Sequence, residues 1–185
     1  MISPFKLIIF IIVTAYLFWV SRSSLRDYKT HGFYRFFMWE AILVLVLLNL
    51  EYWFEKPFSL YQIVSWFLLS VSVIIVICGT VQLYRKGKPD NKRNDTTLLG
   101  IEKTSTLVTT GIYRYIRHPI YSSVFYGAWG IFFKYPSWPN LILAGITISF
   151  LLITAKIEEA ENIRFFSSAY QSYIKRSKMI IPFLY

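Results

Sequence analysis

Two short clusters in this 185-residue chain hold the residue types that do chemistry. The first is Arg117-His118-Pro119, with Tyr121 three residues after the histidine. Proline disfavours helical geometry in the residue before it and suits the first turn of a helix. The spacing therefore predicts a helix that begins at Pro119, with His118 just ahead of it. A helix start presents unpaired N–H groups and the positive end of the dipole, which favour a carboxylate or a phosphate. Arg117 adds fixed positive charge. The same residues also suit a plainer reading, a snorkelling arginine and a helix-starting proline with His118 incidental. The second cluster is Glu158-Glu159, with Glu161 close by. A carboxylate pair could accept hydrogen bonds from a ribose or an amine, or balance a cation; a solvated helix face is the alternative. Glu40, Asn49 and Glu51 lie near the ends of an apolar run and can each reach an interface, so they rank below both clusters.

The elements that must position these clusters are apolar. Hydrophobic residues make up 55% of the chain and charged ones only 16%, against roughly 25% in soluble domains. Runs of near-spanning length recur at Pro4–Val20, Phe36–Phe54, Phe58–Tyr84, Pro119–Phe133 and Trp138–Ala155. They predict an all-α, polytopic membrane helix bundle of about five transmembrane helices. The whole chain, 1–185, reads as one membrane domain, with three spans in 1–84 and the chemical clusters in 85–185. Loop 85–118 and a C-terminal helix continuing from the fifth span are expected to build the site. Only Glu55-Lys56-Pro57 separates the second and third runs, so these two are expected to pair as an antiparallel hairpin. The fourth run is short, roughly 22 Å of helix against a hydrocarbon core near 30 Å. The first run is followed by Ser-Arg-Ser-Ser-Leu-Arg and not by a small-residue cleavage site, which favours a retained span over a signal peptide.

Charge distribution sets the expected orientation. With five spans, all of the 20 basic residues except Lys6, Lys56 and Lys134 fall on one face. The positive-inside rule then puts the N-terminus outside, and segment 85–118 and the tail in the cytoplasm. This also accounts for the net charge of +10 without a nucleic-acid partner. A lone cysteine, Cys78, excludes an intrachain disulfide framework. His31 and His118 are the only histidines, too few and too far apart for a zinc set, so no metal is expected. The chain has no P-loop, no GxGxxG and no HExxH, so a cofactor would be held by loops and helix ends.

The string LVTTGIYRYIRHPIYSS (107–123), followed by EEAENIRFFSSAYQSY (158–173), resembles the isoprenylcysteine carboxyl methyltransferase and phospholipid methyltransferase superfamily. The family pattern L-V-x-x-G-x-Y-x-x-x-R-H-P-x-Y matches Leu107, Val108, Gly111, Tyr113, Arg117, His118, Pro119 and Tyr121. Glu158, Glu159, Phe166, Tyr170 and Tyr173 match the second pattern, whose Leu and Gly are here Asn162 and Ser167. The resemblance covers roughly residues 80–185. It implies S-adenosylmethionine as cofactor, contacted by Ser105, Thr106, Leu107, Val108, Tyr113, His118, Pro119, Ile120, Tyr121 and Glu158. It leaves the catalytic residue open, with Arg117, Glu159 and Lys156 as candidates. Prenylcysteine enzymes carry an arginine four residues before the Glu pair for the substrate carboxylate. Here that acceptor-side position is Thr154.

The implied activity is methyl transfer to a lipid or other apolar acceptor, through an amine, a carboxylate or a thiol. Two alternatives remain from the sequence: a nicotinamide-dependent membrane reductase, and a non-catalytic membrane protein that binds lipid or assembles with a partner.

Overall fold

The computed structural model describes residues 3–87 and 104–184. Lys88, Lys92, Arg93 and Lys103 of the expected cytoplasmic loop lie outside the described residues. Among the described residues the chain is helical, with α1 at Pro4–Ser21, α2 at His31–Asn49 and α3 at Leu60–Lys86. These are followed by α4 at Pro119–Phe132, α5 at Trp138–Phe166 and α6 at Ser168–Ile174. Among the described residues four helices are long and apolar enough to cross a membrane, namely α1, α2 with its 3-10 extension to Tyr52, α3 and α5. The fourth expected span is α4, whose 14 residues make about 21 Å, too short for a hydrocarbon core.

Each helix begins where local chemistry dictates. Ser3 caps α1 by accepting the Lys6 N–H at 3.3 Å, and proline sits in the first turn of α1, α4 and α5. The outer faces of α1 and α3 expose Phe5, Ile8, Ile12, Phe67, Ile74 and Ile77, which suits hydrocarbon and not water.

Packing departs from the expected hairpin. α2 and α3 make little direct contact; α3 lies chiefly against α4, and α2 against α5. Small residues explain the first pair, because a Cβ on Gly130 would stand 2.8 Å from the Leu69 side chain. Ser65 Oγ donates to the Gly130 carbonyl at 2.7 Å, and Ser72 Oγ to the Ser123 carbonyl at 2.7 Å. The α2–α5 pair buries Leu45 and Ala144 and closes its far end with Asn140 Nδ2 donating to Asn49 Oδ1 at 3.1 Å. Met38, Tyr121, Val124, Leu151 and Ala155 form the core where α2, α4 and α5 meet.

The tail is not one continuous helix. α5 runs past the apolar stretch as expected, then breaks at Ser167, whose φ of 52° lies in a region that favours glycine. After α6 the chain turns back and lies alongside residues 115–118. Lys178 N–H donates to the Tyr115 carbonyl at 2.9 Å and Arg117 N–H to the Lys178 carbonyl at 2.7 Å. His118 N–H donates to the Met179 carbonyl at 3.2 Å. Ser122 Oγ donates to the Ile180 carbonyl, which fixes the first turn of α4 to the same strand-like tail.

Candidate functional site

Pro119 is the first residue of α4 and His118 its N-cap, at φ −122° and ψ 66°, as the sequence predicts. The Gly111–Arg114 turn approaches this point along α3. Gly111 adopts φ 62°, and a Cβ there would meet the Gln82 amide at 3.0 Å, so both conformation and space call for glycine. Gln82 Nε2 and Lys86 Nζ each donate to Thr110 Oγ1 at 2.8 Å, pinning the loop to α3.

From the other side, α5 brings its carboxylates to the α4 start. Tyr121 donates its hydroxyl to Glu158 Oε2 at 2.6 Å. Arg117 Nε donates to Glu159 Oε1 at 2.5 Å, and its Nη1 donates to the Ser177 carbonyl. The His118 ring stacks on Tyr121, with centroids 5.5 Å apart. Its Nδ1 is 3.9 Å from Glu158 Oε1 and its Nε2 3.4 Å from Glu159 Oε1. Nε2 is buried, and Glu159 Oε1 is the charged acceptor it faces.

Between these groups lies a cavity of about 80 Å³. Its lining includes Leu107, Val108, Tyr113, His118, Pro119, Ile120, Tyr121 and Glu158, eight of the residues for which the family resemblance implies cofactor contact. Ser105 and Thr106 of that set lie beside the cavity without lining it. This space is smaller than the roughly 300–1,000 Å³ of typical ligand pockets.

The remaining candidates fall elsewhere. Arg117 lines the cavity, but its guanidinium is committed to Glu159 and to tail carbonyls, so it closes the fold and does not offer a free charge. Glu159 is the partly buried partner of that pair, with 13% of its side chain exposed. Lys156 is exposed on α5 and away from the lining. Thr154 is buried, and its hydroxyl bonds back to the Phe150 carbonyl at 2.7 Å.

Four residues of the second string that the sequence reading gave no contact role are brought to the cavity by the fold. Asn162, Phe166, Tyr170 and Tyr173 complete the wall. Burial, reinforced by the Glu158 and Glu159 charges, pushes the Tyr170 phenol far up, and burial does the same for Tyr173, so both stay protonated. Tyr173 uses its proton on the Tyr113 carbonyl, joining the wall to the loop. His31 is the other omission. Fully buried at the start of α2, it offers both its N–H at 3.2 Å and its Nδ1 at 2.6 Å to the Glu161 carboxylate. Among the described residues no group of His, Cys, Asp and Glu could hold a metal.

Comparison with known proteins bears on this half of the chain. Residues 89–171 match the phospholipid methyltransferase family model. That match contains the loop, the α4 start and the Glu158–Glu159 pair, and the superfamily resemblance read from the two strings stands on it. Methanethiol S-methyltransferase of Crocosphaera subtropica is 28% identical over 78 residues, which are 41% of this chain and 29% of that protein. This chain thus spans under a third of the curated relative it matches. No solved structure matches significantly.

Proposed function

We propose that this chain is a membrane methyltransferase that uses S-adenosylmethionine and acts on an apolar or lipid-embedded acceptor. The phospholipid methyltransferase match and the similarity to a methanethiol S-methyltransferase support methyl transfer in general. The observation that carries the cofactor assignment is the pairing of His118 and the α4 start with Glu158 across one cavity.

These residues fit the cofactor's chemistry. The N-terminal end of α4, with the His118 ring at its cap, suits a carboxylate. Glu158 keeps one oxygen on Tyr121 and can accept from a ribose hydroxyl or an ammonium with the other. Leu107, Val108 and Phe166 give apolar walls. The bound cofactor would supply an electrophilic methyl group on a sulfonium, whose charge disappears as the methyl leaves. The chain's part is then alignment and exclusion of water, with no strong base required. Tyr170 and Tyr173, held neutral, leave the site free of a competing phenolate nucleophile.

In this reading the site faces the cytoplasm and the N-terminus lies outside, as the clustering of basic residues on one face favours. The acceptor's apolar part stays in lipid. Isothermal titration of the detergent-purified chain with S-adenosylhomocysteine tests the proposal; saturable binding is expected, and its absence in folded protein would overturn it.

A further inference from the structure

Asn162 stands in the cavity wall at the position where the family pattern carries leucine. It lies one turn of α5 beyond Glu158, and Phe166 lies one turn beyond that, so the three share a face. All three line the cavity, with Tyr170 and Tyr173 of α6 beside them. Phe166 and Tyr170 hold their rings near-parallel, with centroids 6.4 Å apart and planes inclined by 18°. Tyr173 meets Tyr170 edge-on, with centroids 5.8 Å apart. Tyr170 is 3% exposed and shares a side-chain hydrogen bond with Asn162. The wall thus carries an amide fastened to a group of aromatic rings. A primary amide has two N–H donors and an oxygen with two lone pairs, so the bond to Tyr170 uses only part of its capacity.

That combination has a chemical target. Aromatic rings favour a flat π-system, and a nucleobase stacks on them whatever its sequence context. An asparagine amide matches the edge of adenine, its oxygen accepting from the 6-amino group and its NH2 donating to the neighbouring ring nitrogen. Leucine at this position offers neither. The axial step from Glu158 to Asn162 is about 6 Å, the reach from a ribose hydroxyl across the glycosidic bond to the base. We infer that Asn162 is a specificity-determining residue of the cofactor site, reading the 6-amino edge of adenine while Phe166 and Tyr170 face its ring. This rests on the proposed methyltransferase reading, with Glu158 on the ribose.

The test titrates the detergent-purified full chain with two ligands, S-adenosylhomocysteine and its analogue carrying hydrogen in place of the 6-amino group. Wild type should bind the first about five- to tenfold more tightly, the effect of roughly one hydrogen bond left unmade. Asn162→Leu, which puts the family's residue at this position, should bring the two affinities within about twofold, chiefly by weakening S-adenosylhomocysteine. Asn162→Ala should do the same, and it carries the comparison should the leucine variant fail to fold. A merely structural role would weaken both ligands in parallel and leave their ratio unchanged; that result overturns the inference. Wild-type protein that binds both ligands alike overturns it as well. Failure of folded wild type to bind S-adenosylhomocysteine would instead remove the methyltransferase reading itself.

Discussion

Tyr121 and Glu158 are 37 residues apart in sequence and joined by a 2.6 Å hydrogen bond, with the phenol donating to the carboxylate. This bond ties the first turn of α4 to α5. It orients the one carboxylate of the Glu158–Glu159 pair that lines the cavity.

Replacing Glu158 by glutamine keeps its shape and removes its charge. S-Adenosylhomocysteine affinity is expected to fall at least about tenfold, because hydrogen bonds to ionised groups contribute roughly 1.5–3 kcal/mol. His118→Ala should weaken binding as well. Tyr121→Phe, which frees Glu158 without discharging it, should cost less. Titration calorimetry on the three variants orders them, and unchanged affinity in both Glu158→Gln and His118→Ala would remove the site assignment.

Arg117 is expected to matter for the fold first. Its pair with Glu159 leaves only 8% and 13% of the two side chains exposed. Arg117→Ala leaves a partly buried carboxylate with only His118 beside it and releases the tail carbonyls of Ile174 and Ser177, so a loss of up to about 3 kcal/mol is expected. Thermal unfolding in detergent should show a large drop for Arg117→Ala and a much smaller further drop when Glu159→Ala is added. Strict additivity would contradict the pairing.

Ser167 holds φ 52° and ψ −128° at the break between α5 and α6. A side chain there is strained by about 1 kcal/mol or more. Ser167→Gly should therefore raise the unfolding midpoint, with cofactor affinity preserved. A lower midpoint would mean that the hydroxyl contributes more than the strain costs.

Lys134, at the opposite end of the bundle between α4 and α5, is 1% exposed. Its Nζ lies 3.4 Å from the centre of the Trp66 ring and donates to Gln62 Oε1 at 3.1 Å. Burial pushes its amine down to about 8 from 10.5. Between these values the unfolded chain holds the proton and the folded chain does not, so stability should rise with pH across that window. The indole face favours the ammonium, and the gain should stay below the limit of about 1.4 kcal/mol per pH unit. Unfolding midpoints at about pH 7.5 and 9.5, compared between wild type and Lys134→Met, should show the rise only in wild type.

Much of this architecture is legible in the residues. Pro119 marks the α4 start because its ring excludes helix at His118 and fits the first turn. The apolar runs give the helices to within a few residues at most ends. What lies further from view is tertiary. The placement of α4 against α3 depends on Gly127 and Gly130, which let the backbones approach, and no periodicity announces that choice. His31 and Glu161 meet across 130 residues, so neither hinted at the other. The tail's pairing with residues 115–118 needs a turn after α6 that composition does not specify.

The central claim is methyl transfer from S-adenosylmethionine to an apolar acceptor. Its most direct test incubates the detergent-purified chain with methyl-labelled cofactor and a total membrane lipid and small-thiol mixture, followed by organic extraction and mass identification of the product. The account predicts label in an apolar product, abolished by Glu158→Gln. Label absent from every product, with folded protein and confirmed cofactor binding, would contradict it.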